Sequence, residues 1–193
     1  MGKINFNQNT MAYGIIKGQD IDFNNLRQKN IDYKIDKWAQ MRDYNDFAKN
    51  HCGATFIVNL AIFFESQGYK NLLINDSIDQ TFKFVHEKIG NGPIVFVAPK
   101  ARWYFSTRGY KLKYRFIDSF KLAKEAIDRG KPLGILLAQS PISWHWVLGL
   151  GYLENKKLQF FRVINAWENT DNRYYLVNNK ARFFSAKEYY IEN

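Results

Sequence analysis

The chain has 193 residues, 46% of them apolar and 17% aromatic, a length and composition that suit one core-forming domain and exclude a disordered polymer. One cysteine and three histidines exclude a disulfide framework and a multi-cysteine zinc site, and leave little from which to build a metal centre. The net charge of +10 favours acidic partners or surfaces in general terms, and no apolar run approaches the roughly 18 residues that a membrane-spanning helix needs.

The opening "MGKINFNQNT" lacks the apolar core of a secretory signal, and Phe6 stands where a myristoylation motif needs Ser or Thr. The sequence therefore reads as cytoplasmic. Residues 1–36 are polar and weakly patterned, which predicts an extended surface arm ahead of a body over residues 37–193. From Cys52 to about Gln67 the pattern is helical and apolar nearly all round, as expected of a buried central helix stopped by Gly68. A second helix is predicted over residues 75–90, with Ile78, Phe82, Val85 and Ile89 on one stripe and Asp76 as its cap. A short strand follows over residues 94–98.

The next stretch, "KARWYFSTRGYKLKYR" at residues 100–115, alternates cations with aromatics. It reads as a twisted hairpin with aromatics inward, so nucleic acid is not expected as a partner. Asp118 then caps a third helix that ends at Gly130 and Pro132. The remainder reads as antiparallel sheet, with strands over residues 133–138, 143–152, 157–167 and 173–177 and a last one near Phe183. Helices first and a meander after them give an α+β fold of two packed layers.

The most informative stretch is "SPISWHWVLGLGYLENKKLQFFRVINAWENT". Strand alternation sets Trp144, Trp146, Leu148, Leu150 and Tyr152 on one face and His145, Val147, Gly149 and Gly151 on the other. The first face is bulky enough for a core, and the second is small and open, as a cleft wall would be. A three-residue loop at Glu154–Lys156 would pair His145 directly with Asn165 on one face, with Cβ atoms about 4.5–5.5 Å apart; a two-residue loop would separate them. An amide so placed can orient an imidazole whose other nitrogen takes a proton from a nucleophile. Cys52 is the candidate nucleophile. At a helix N-terminus the dipole and free N–H groups favour a thiolate, and the same groups can stabilise an oxyanion.

Cys52-Gly53 at the head of a buried helix, His145 on a strand, and Asn165-Ala166-Trp167 on the next together resemble the papain-like cysteine peptidases. The Cys-to-His separation of 93 residues and the His-to-Asn separation of 20 are similar to the compact bacterial, staphopain-like members. "KEAIDRGKPLGILL" is similar to the double-glycine leader peptidases. The resemblance covers residues 37–177. It implies a papain-like fold with the Cys-headed helix packed on the C-terminal sheet, a Cys52–His145–Asn165 triad, and Trp167 shielding the His–Asn bond. It also implies a peptide or protein substrate and no cofactor or metal. The chain departs from papain where Asp46 stands six positions before the cysteine, because an anion there cannot complete an oxyanion hole. Gln40 is the replacement candidate and Asn50 the second. The expected function is peptide-bond cleavage through an acyl-enzyme. The alternatives are a papain-like acyltransferase, transglutaminase-like or deamidating enzyme, and an inactive basic binding module of the same fold.

Overall fold

The computed structural model describes residues 11–46, 48, 50–92, 94–140, 143–177 and 184–192. In chain order its elements are β1 (Ile15–Lys17), β2 (Arg27–Asn30), α1 (Cys52–Ser66), α2 (Ile78–Ile89), α3 (Val97–Thr107), β3 (Leu112–Ile117), α4 (Phe120–Asp128), β4 (Leu133–Ser140), β5 (Ser143–Glu154), β6 (Gln159–Ile164), β7 (Arg173–Leu176) and β8 (Phe184–Ile191). Among the described residues, four α-helices and an antiparallel sheet make the fold α+β. No helix among the described residues is long and apolar enough to cross a membrane. The chain forms two compact units. One comprises residues 1–31, 116–165 and 170–188, and the other residues 32–115, 166–169 and 189–193.

The first unit is built on β5. Along one edge β5 pairs with β6, which leads on to β7 and β1. Along the other edge its first half pairs with β4, which continues to β8, and its last four residues pair with β2. A strand of 12 residues can serve both neighbours in succession. The glycines of β5 make this possible. A Cβ on Gly151 would lie 2.1 Å from Asn30 Oδ1 and 2.8 Å from the Lys29 carbonyl of β2, and one on Gly149 would lie 2.9 Å from Ile135 Cδ1 of β4. The space expected to form an open cleft wall is therefore filled by neighbouring strands. Ile16, Ile21, Leu153, Phe160, Tyr174 and Leu176 bury together in this unit. α4 adds its Ala123, Ala126 and Ile127 stripe and sets Phe120 against the rings of Tyr152 and Phe161. Its cap is Ser119, whose hydroxyl accepts from Leu122 N, and not Asp118.

The first 31 residues are not a surface arm where they are described. Ile15 and Ile16 are buried in β1 against β7, and β2 completes the edge of β5. Residues 1–10 lie outside the described residues.

In the second unit α1 is the hub, and every residue from Cys52 to Phe64 is buried. Phe64 meets Phe105 of α3 edge-on, Phe63 meets Tyr33, and Phe56 packs against Tyr189. α2 starts at Ser77, whose side chain accepts from Gln80 N, rather than at Asp76.

Two expectations fail over residues 94–115, where α3 and β3 replace a strand and a hairpin. Ala98, Ala101, Tyr104 and Phe105 form one buried helical stripe, and Pro99 is tolerated in a first turn, where backbone N–H groups are unpaired in any case. The helix ends in paired bonds from Gly109 N to Ser106 O and from Tyr110 N to Phe105 O, with Gly109 at φ +84°. That is a Schellman stop, and the left-handed conformation it needs accounts for a glycine at position 109.

Candidate functional site

The six residues singled out by the sequence divide between the units. Gln40, Asn50, Cys52 and Trp167 belong to the second, and His145 and Asn165 to the first.

In the second unit Cys52 is the first residue of α1 and is 3% exposed. Two side chains of this helix region tie a preceding extended segment to it. Asn59, one of the few polar residues of α1, accepts from Ala39 N at 2.8 Å and donates to Ala39 O at 3.1 Å. His51 bonds through Nε2 to the Met41 carbonyl at 2.8 Å. A carbonyl only accepts, so the His51 proton lies on Nε2. Between these two clamps sits Gln40, extended at φ −116° and ψ 139° and only 4% exposed. Its Oε1 has no hydrogen-bond partner among the described residues. Met41 N also donates to the Ala166 carbonyl at 2.7 Å, and Trp38 N donates to Asn169 Oδ1. The turn that carries Trp167 is thereby fastened to the same segment. Asn50 is exposed, at φ +50°.

In the first unit His145 Nε2 lies 2.7 Å from the main-chain carbonyl of Asn165. The two residues do meet, but not as the hairpin count predicts. The loop after β5 has four residues, with Glu154 paired to Gln159, and a bulge between Gly149 and Gly151 shifts the register again, so that Leu148 faces Ile164. The acceptor that this contact uses is the Asn165 backbone rather than its amide. Because the carbonyl must accept, Nε2 carries the proton of the neutral ring and Nδ1 keeps the lone pair. Burial of the ring, 3% exposed, pushes the His145 pKa down from 6.5 to about 4, against an opposing upward pull from the Asn165 carbonyl. At pH 7 the ring is neutral.

Tyr13 covers His145, a contact absent from the sequence reading. Its ring centroid is 5.3 Å from the imidazole, and its hydroxyl bonds Ser143 Oγ at 2.9 Å. Tyr13 holds φ +62°, an uncommon conformation for a bulky residue that marks a constrained site. No sequence signal points to Tyr13, since it lies in a weakly patterned segment. Asn59 could have been found, because an amide in a helix buried on all faces must be satisfied by a specific partner.

Among the described residues no three His, Cys, Asp or Glu side chains gather as metal ligands would. No protein-family model and no curated protein matches the chain.

Proposed function

We propose that the chain is a papain-like thiol hydrolase whose principal reaction is cleavage of peptide bonds. In this reading the Cys52 sulfur, favoured as a thiolate by the α1 N-terminus, attacks the substrate carbonyl carbon. His145 Nδ1 carries the proton between sulfur and the leaving amine, and the C–N bond breaks to leave a thioester on Cys52. Water, deprotonated by the same imidazole, then releases the acid and regenerates the thiol. Gln40 Nε2 and the Cys52 N–H stabilise the oxyanion. The observation that carries the reading is the His145 tautomer. With Nε2–H donated to the Asn165 carbonyl, the lone pair of the neutral ring sits on Nδ1, the form in which an imidazole can act as a general base. Asn165 serves as the orienting residue through its main chain.

The test is alkylation of the native protein with iodoacetamide across pH, followed by mass spectrometry at Cys52. Rapid modification near pH 6 that slows in His145→Ala supports the hydrolase. Reaction only after denaturation refutes it and leaves a binding module. A peptide library with and without a primary amine then separates hydrolysis from acyl transfer, because a transferase product retains the amine.

A further inference from the structure

We propose that the outer face of α3 and the turn into β3 bind a nucleotide, a nucleobase with its phosphate, either free or as one unit of a single strand. This site is independent of Cys52 and of the hydrolase reading. The face follows from the helix itself. With Ala98, Ala101, Tyr104 and Phe105 turned to the core, Pro99, Arg102, Trp103 and Ser106 are left outward at helical spacing. Together with Tyr110 and Lys111 they wall a cavity of about 310 Å³, which is near the lower end of small-ligand pockets and large enough for one nucleotide.

Two flat aromatic walls are held in place before any ligand arrives. Trp103 lies nearly parallel to Phe84, with 5.8 Å between centroids and 10° between planes. Tyr110 donates through its hydroxyl to Lys70 O and accepts from Lys70 N, each at 2.9 Å, and meets Tyr69 edge-on. Stacking a base on fixed rings avoids the cost of ordering them.

The electrostatics favour a phosphate. Residues 94–115 hold six Lys and Arg residues and no acid. Lys100 and Arg102 are exposed and form no ion pair among the described residues, and the Arg102 guanidinium lies 5.9 Å above the Tyr114 ring. The acid that approaches is Glu192, which pairs with Lys111 and lies 3.7 Å from Lys113. One carboxylate shared by two lysines leaves the face positive. An acidic peptide would satisfy these cations but would leave the paired ring surfaces unused, so the nucleotide is the better match.

The experiment uses the full chain and a fluorescein-labelled oligodeoxyadenylate of about eight nucleotides, read by anisotropy, with AMP and polyglutamate as competitors. Binding is expected to weaken at least about tenfold in Arg102→Glu and in Trp103→Leu, and to fall between about 50 and 200 mM salt with a log–log slope of about −1 to −2. Competition by AMP identifies the free nucleotide as sufficient, and binding of the oligonucleotide without it identifies the single strand. Absence of binding by both probes, retention of affinity in Arg102→Glu, or displacement by polyglutamate as effective as by AMP overturns the proposal. Cys52→Ala must bind like the parent, which keeps this result separate from any result on the hydrolase.

Discussion

The burial of His145 makes a prediction that can be followed from a pKa to an unfolding curve. In the Cys52→Ala chain no thiol can share the titration, so the imidazole responds to its protein surroundings alone. Its pKa is about 4 in the folded protein and returns to about 6.5 in the unfolded chain. The folded value lies below the unfolded one, so between these values the unfolded state binds the proton first, and stability rises with pH through that window. The gap amounts to about 3 kcal/mol once the pH is well below 4, and about 2.5 kcal/mol of it is lost by pH 4.5 relative to pH 7.5. Urea unfolding of Cys52→Ala at those two pH values, set against Cys52→Ala/His145→Gln, isolates this contribution from other titrating groups. The double variant is expected to lose about 2.5 kcal/mol less on acidification. An NMR titration of the His145 ring must agree with a midpoint far below 6.5. A midpoint near 6.5 in Cys52→Ala, or equal acid sensitivity in both chains, refutes the argument from burial. The wild-type protein then tests the functional reading separately. The value of about 4 contains no contribution from residue 52, its causes being burial and the Asn165 carbonyl. A thiolate partner favours the imidazolium, so in the proposed reaction the wild-type midpoint lies above that of Cys52→Ala, and equal midpoints refute the pairing of these two residues.

Asn59→Leu removes both bonds to Ala39 and leaves its N–H and carbonyl buried, an expected loss of about 2–4 kcal/mol readable as a lower denaturant midpoint; a loss under about 1 kcal/mol would show that the clamp contributes little. Gln40→Met replaces a buried amide whose Oε1 has no partner among the described residues. It is expected to stabilise the fold by about 1 kcal/mol while lowering kcat about 10–1,000-fold with KM little changed, whereas parallel losses of stability and activity would contradict an oxyanion role. Asn165→Ala keeps the carbonyl that holds Nε2, so 15N shifts of the His145 ring should still report the Nε2–H tautomer; a switch to Nδ1–H would assign orientation to the amide instead. Tyr13→Ala opens the imidazole to water and should raise the His145 midpoint toward 6.5, and an unchanged NMR titration would show that Tyr13 does not provide the burial.

What was legible in the sequence depended on whether a signal was local. The α1 helix was plain because an apolar pattern on all faces has one physical use, and burial from Cys52 to Phe64 follows. The strands from Leu133 onward were readable from alternation, and β8 runs over Phe184–Ile191, just beyond the expected Phe183, which lies outside the described residues. The α3 region was misread because alternating cations and aromatics over "KARWYFSTRGYKLKYR" mimic a strand period. Two of the four residues of the competing helical stripe, Ala98 and Ala101, are alanines, which contribute little to a hydrophobic pattern. The meeting of His145 with Asn165 was expected from a loop count that was one residue short. The contact forms because a bulge in β5 and a backbone acceptor replace the register that the count assumed. Bulges leave no reliable mark in a pattern of period two.

In the proposed reaction the place of Gln40 is set by the fold rather than by motif spacing. Gln40 stands twelve positions before Cys52, whereas the papain pattern has its amide six positions before the cysteine, where this chain has Asp46. The structure fastens residues 39 and 41 to α1 instead, through an asparagine inside the helix and the histidine just before it. Gln40 is fixed from both sides while its own amide oxygen stays without a partner among the described residues. A buried amide held this way costs stability, and such a cost persists only where the surrounding structure enforces the placement. The clamping residues carry no motif of their own, because Asn59 and His51 matter through the backbone atoms they reach rather than through their distance from Cys52. Substitutions that keep both hydrogen bonds should therefore preserve the placement of Gln40, whereas Asn59→Leu should disturb it and reduce turnover even though residue 59 touches neither sulfur nor substrate in the proposed reaction.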